Sequence, residues 1–181
     1  MTHNFNKEYD RNGSIFMDPA CDVLKSGTNL ILYGHHMRSG NMFGDLDKYE
    51  SREYMEKHAT IEFDTLYEKG TYKVMYVFRD RLRQDTEITF KYYQFIEANS
   101  AEEFASNMNA MAEMSFYDTG VKAAWGDQLL TLSAFSHRLS SIYRNISLKA
   151  VPPYTHKIRL KPLSEKNFLF FQKQGKPPLI V

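Results

Sequence analysis

The side chains in this sequence best suited to chemistry near neutral pH are two adjacent histidines, His35 and His36, and one cysteine, Cys21. An imidazole can pass a proton to or from a reacting group, and a thiolate can attack a carbonyl. On an extended chain His35 and His36 point to opposite sides, so the two cannot serve one site without a local bend. No second histidine or carboxylate pair stands at zinc-ligand spacing, and the single cysteine excludes an internal disulfide and any multi-thiolate metal site. There is no glycine-rich phosphate loop and no Gly-x-Ser-x-Gly elbow. On spacing alone each histidine reads as a hydrogen-bonded structural imidazole and Cys21 as an inert loop thiol.

The elements that must position these residues are mainly strands. After the Asn12-Gly13 turn comes the short apolar run Ser14 to Met17, then a loop from Asp18 to Thr28. Asn29 to Tyr33 is a continuous apolar run, the pattern of a strand covered on both faces, and it delivers His35 to the strand's C-terminal end. Gly44 to His58 reads as a helix capped by Asp45, with Leu46 and Tyr49 inward. Strands are predicted at 59–63, at 72–78 after a Glu68-Lys69-Gly70 turn, and at 88–95, with a charged, solvated stretch at 79–85. Ser100 and Glu103 form a capping box for a helix to Met114 whose Phe104, Met108 and Met111 stripe is core. Asp118-Thr119-Gly120 is a turn and 128–133 the last well-formed strand. Weaker strand signals follow at 144–151 and 157–161, and the Pro152-Pro153 and Pro177-Pro178 pairs interrupt regular structure. Many strands, two helices and no βαβ alternation argue for a largely antiparallel barrel or sandwich.

Composition bounds the rest. The 181 residues, 43% hydrophobic and 14% aromatic, suit one folded domain with a sizeable core. No apolar run approaches the ~20 residues that span a bilayer and no signal core precedes the first strand, so the chain as given reads as soluble. The net charge of +1 conceals two halves: residues 1–133 hold 14 Lys and Arg against 21 Asp and Glu, and residues 134–181 hold 9 against 1, Glu165.

The order of segments says more than any one of them. Gly13-Ser14-Ile15-Phe16-Met17-Asp18, then Leu30-Ile31-Leu32-Tyr33-Gly34-His35-His36-Met37, then Met42-Phe43-Gly44-Asp45-Leu46 resembles the class B sortases. The resemblance continues through 60–67, 70–74, Ser115 to Val121 and Asp127 to Ser133, and covers roughly residues 3 to 133. It implies a mainly β fold, an eight-stranded sortase barrel with two or more peripheral helices and with its last strands undefined here. The helix from Ala101 to Met114 would be the additional one of class B.

The resemblance also implies thiol transpeptidation, which needs a thiolate, a histidine as general acid and base, and an arginine to hold the substrate carbonyl or its oxyanion. His35 takes the histidine's place in Tyr-Gly-His-x-Met; His36 stands where the family often has Asn. The cysteine is expected after Thr-Leu-Ser-Thr, but this chain reads Thr131-Leu132-Ser133-Ala134-Phe135, so Phe135 occupies the nucleophile's position. Arg144, with no glycine before it, is the nearest match to the arginine, and Arg138 is the other option. The implied partners are an Asn-Pro-x-Thr sorting-signal peptide of a secreted surface protein and a cell-wall precursor amine, at the extracellular face of the plasma membrane. No cofactor, metal or nucleic acid is implied. The membrane anchor and leading helices that the resemblance implies are not expected within these 181 residues.

The sequence divides at the same point into a sortase-like domain, 1–133, and an atypical basic segment, 134–181. Resemblance, acidic composition and nucleophile are lost together at Ser133 to Phe135. A reading-frame shift near codon 134 is therefore favoured over a genuine basic extension. Impaired or absent activity is expected. The alternatives are a non-catalytic relative that binds sorting peptides and a basic module that contacts anionic polymer or membrane surface.

Overall fold

The computed structural model describes residues 3–4, 6–24, 27–65, 69–81, 87–135 and 142–150, and the strand pairs 170–171 and 179–180. In chain order the strands are β1 (Phe16–Met17), β2 (Asn29–His35), β3 (Thr60–Asp64), β4 (Lys69–Arg81), β5 (Leu129–Phe135), β6 (Ile142–Ala150), β7 (Phe170–Phe171) and β8 (Leu179–Ile180). The helices are α1 (Arg52–Lys57) and α2 (Ala101–Met114), with 3-10 turns at Gly44–Glu50 and Tyr92–Gln94. The fold is mainly β, a sheet curled into a half-barrel.

Six strands form one sheet in the order β1-β2-β5-β6-β4-β3, and β7 pairs with β8 apart from it. Four of its five pairings are antiparallel; β2 and β5 run parallel. β6 lies inside the sheet between β5 and β4, so the sheet extends past residue 133. The 157–161 strand and both Pro-Pro pairs lie outside the described residues.

Two apolar clusters hold the sheet. One gathers Ile31, Leu32, Val74, Val77, Leu130, Leu132, Ile146 and Leu148. The other packs Phe104, Met108 and Met111 of α2 against Met75, Phe78, Tyr92 and Phe95, so the methionine stripe is core. Burying side chains of this size contributes roughly 1.5–3 kcal/mol each. Ser100 caps α2 by accepting from the Glu103 amide at 3.1 Å, and Glu103 reaches back to the Asn99 amide at 2.9 Å rather than to Ser100's own.

Several expectations give way. Residues 88–95 form no strand: Tyr92 and Phe95 turn inward in a 3-10 turn beneath α2, and Ile88 is fully exposed. Aromatic and β-branched residues fit a pleated surface, but here packing against α2 sets the backbone. The solvated stretch 79–85 is corrected at its start, where β4 continues to Arg81 and Asp80 is buried. The single 44–58 helix is broken at Ser51, whose hydroxyl caps α1, and Asp45 caps nothing but pairs with Lys48 at 2.9 Å. Among the described residues no helix is long and apolar enough to cross a membrane.

Candidate functional site

His35 ends β2 and is only 3% exposed. Its strand does not stop at Gly34, because the parallel ladder with β5 carries through Gly34↔Ala134 to His35↔Phe135. On the other side of β5, Phe135 pairs with Tyr143 and Ala134 with Arg144. The three positions singled out in the sequence therefore converge at one end of the sheet: His35 and Phe135 on the same rung, Arg144 one rung inward. Neighbouring strands lie about 4.8 Å apart, so this is a single locality. Arg138 lies outside the described residues.

The end of β2 is built from its neighbours. A Cβ on Gly34 would stand 2.7 Å from the Phe43 ring, so only glycine lets that ring lie against the strand. The Phe43 amide donates to the His35 carbonyl at 3.0 Å, and His36 bridges Met42 across the reversing loop. The His36 imidazole meets the Asp47 carboxylate, Nε2 to Oδ2, at 2.6 Å. Behind β5, the Tyr92 and Ser133 hydroxyls share a buried hydrogen bond of 3.0 Å. Neither tie is legible in the sequence, since Asp47 and Tyr92 reach the site from segments whose local patterns suggested a regular helix and a strand.

Cys21 is elsewhere. Its Sγ accepts from the Ile31 amide at 3.3 Å and lies 3.5 Å from the Asn29 carbonyl, which places it beside the start of β2, about 13 Å of strand from His35. Burial, joined by Asp18 and Glu97 and only partly offset by the Ile31 amide, pushes its pKa up to about 11. A thiol held neutral in this way is a poor nucleophile. A solvent-open cavity of about 390 Å³ lies at that same end, lined by Asp22, Leu30, Tyr72, Gln128 and Leu129 among others, away from the His35 rung. Among the described residues no cluster of side chains could hold a metal ion.

No family model matches the chain. Sortase B of Staphylococcus aureus is 30% identical over 152 residues, 81% of this chain and 57% of that protein. Sortase B of Listeria monocytogenes is 30% identical over 131 residues, 72% of this chain and 50% of that protein. A crystal structure of sortase B from B. anthracis superposes with a TM-score of 0.68 at 32% identity, over 83% of this chain and 67% of the other. The chain belongs to the class B sortases. It spans about half the length of the curated relatives it matches. Membership supplies a cysteine transpeptidase ancestry.

Proposed function

We propose that this chain descends from a transpeptidase that cleaves an Asn-Pro-x-Thr-type sorting motif through a thioester, and that it lacks the nucleophilic half of that chemistry. In the full reaction a cysteine thiolate adds to the threonine carbonyl, and arginine stabilises the oxyanion. The histidine gives its proton to the departing amine, leaving a thioester. A cell-wall precursor amine then attacks, the histidine takes up that amine's proton, and the thiolate leaves. In this reading His35 is the general acid and base and Arg144 the oxyanion partner. Phe135, standing where the thiol belongs, cannot form the thioester. The reading also carries the extracellular membrane face as the site of action.

The observation that carries it is the His35↔Phe135 register. A sorting peptide incubated with the chain, with and without an amine acceptor, should give no cleavage and no covalent adduct by intact mass, while binding persists. Cleavage by the unmodified chain would overturn the proposal, and its loss in Cys21→Ala would move the nucleophile to Cys21.

The charge division favours a second reading, in which the basic segment contacts anionic polymer or membrane surface. Because β6 belongs to the sheet, the fitting test removes residues 151–181 rather than 134–181. Salt-sensitive binding to an anionic polymer, lost on that truncation, supports the reading; binding that survives it refutes it.

A further inference from the structure

The residue after His35 carries a tie that the proposed chemistry does not use. β2 stops at His35, and the chain reverses within the next eight residues. The reversal is closed by backbone contacts: the His36↔Met42 bridge, Phe43 amide to His35 carbonyl at 3.0 Å, and Gly40 amide to Met37 carbonyl at 3.1 Å. Two of its residues sit in the left-handed region, Gly40 at φ 81° and Met42 at φ 54°. For methionine that conformation costs energy, so other contacts must hold it. A side-chain tie anchors this loop to the 3-10 turn Gly44–Glu50: His36 Nε2 to Asp47 Oδ2, 2.6 Å.

Alternation along the strand sends His36 to the side opposite His35, so it cannot share a substrate with it. It shares a peptide unit instead. An ionised Asp47 only accepts, which assigns the proton to Nε2 of His36. The other carboxylates of the same turn are engaged elsewhere, Asp45 with Lys48 at 2.9 Å and Glu50 with Arg79 at 2.6 and 2.7 Å. The side chains of His36 and Asp47 are 15% and 37% exposed, against 66% and 78% for the solvated Lys57–Glu53 pair. Charge-assisted hydrogen bonds of this length hold geometry better than exposed pairs do.

We infer that His36 and Asp47 are a positioning pair that fixes the orientation of the His35 imidazole through the peptide unit joining His35 to His36 and through the reversing loop. The inference rests on His35 being the general acid and base. It identifies His36, where the family often has Asn, as this chain's own means of holding that base.

The test reads the His35 ring directly, by nitrogen and proton resonances of the folded full chain at one fixed pH. His36→Ala and Asp47→Ala should each displace the His35 ring signals and speed exchange of the Phe43 amide by tenfold or more. The double variant should do no more than either alone. Asp47→Asn keeps an acceptor oxygen and should return the His35 signals close to those of the parent, a rescue that a merely structural defect would not show. Glu53→Ala, which removes the Lys57 pair, should leave them in place. His35 ring signals that stay put in the folded alanine variants overturn the inference. Should His36→Ala not fold, Asp47→Ala with the imidazole retained carries the same readout. The role of His35 is judged separately: residual sorting-peptide cleavage by Phe135→Cys that is unchanged on adding His35→Ala sinks the general acid-base reading without touching the positioning result.

Discussion

His35 of β2 and Phe135 of β5 are partners on one rung of the sheet, with Tyr143 of β6 completing the rung on the far side of β5. Parallel neighbours in register present their side chains to the same face. On the proposed reading, the nucleophile's position and the general acid and base therefore share one rung. The two residues are 100 positions apart and joined only by this ladder, so their proximity is a property of the fold.

Restoring the thiol should not by itself restore the enzyme. Phe135→Cys supplies the nucleophile, but Arg144, the proposed oxyanion partner, follows Tyr143 where the family has glycine, and a reading-frame shift near codon 134 would leave the whole arginine strand altered. Loss of one oxyanion donor costs about 10²–10³ in rate. Cleavage of an Asn-Pro-x-Thr peptide by Phe135→Cys is expected at least ~100-fold below that of a sortase B assayed alongside. Comparable rates would show that Arg144, or another arginine, already serves. The DNA around codon 134 gives an independent check: an alternative frame reading Thr-Cys and then Gly-Arg would explain the substitution and the changed strand together.

The position of His35 at the end of a strand was legible because that strand is written in consecutive apolar residues. The capping box at Ser100 and the α2 methionine stripe were legible too, being contacts at helical spacing. What was hidden lay in contacts between distant segments. Tyr92 looks like a strand residue until α2 covers it, and Asp80 looks solvated until β6 pairs with β4. The tie from His36 to Asp47 spans a loop with positive-φ residues that no periodic pattern announces. Among the described residues six strands form one sheet and a separate pair stands apart from it, which does not confirm the eight-stranded barrel implied by the resemblance.

Cys21 should resist thiol reagents in the native chain. With its pKa near 11 about one thiol in a thousand is ionised at pH 8, and burial removes most of those from reach. A chromogenic disulfide should label it rapidly only after denaturation. The raised value also sets a sign: stability from the neutral thiol is fully present below the unfolded value near 9 and is lost as pH climbs to about 11. Tyr49, pushed up to about 12 chiefly by burial, adds loss in the same direction higher still. Denaturation across pH 8–11 should show a smaller decline for Cys21→Ala than for the parent.

Ser147 marks a flaw in the middle of the sheet. It is fully buried on β6 between Thr131 and Tyr76, and its hydroxyl has no hydrogen-bond partner among the described residues. Desolvating a hydroxyl without compensation costs ~1–3 kcal/mol. Ser147→Ala removes that group without adding volume and should stabilise the chain by ~1 kcal/mol, read as a higher urea midpoint at unchanged slope. A lower midpoint would mean that the hydroxyl has a partner.

Gly44 tests how tightly the loop behind His35 is built. A Cβ added there would collide with the Met37 carbonyl oxygen, a backbone atom that cannot rotate away as a side chain would. Gly34 is a milder case, since its obstruction is the Phe43 ring, which can shift. Forcing a methyl into such a space costs about 1–3 kcal/mol in well-packed cores, and here the displaced group is the loop that holds the His36–Asp47 tie. Gly44→Ala should lower the unfolding free energy by ~2 kcal/mol or more and displace the His35 ring resonances, as is expected of Asp47→Ala. Gly34→Ala should destabilise less. Equal losses in the two variants would show that the loop backbone yields as readily as a ring, and the positioning of His35 would then have to come from the β2–β5 ladder alone.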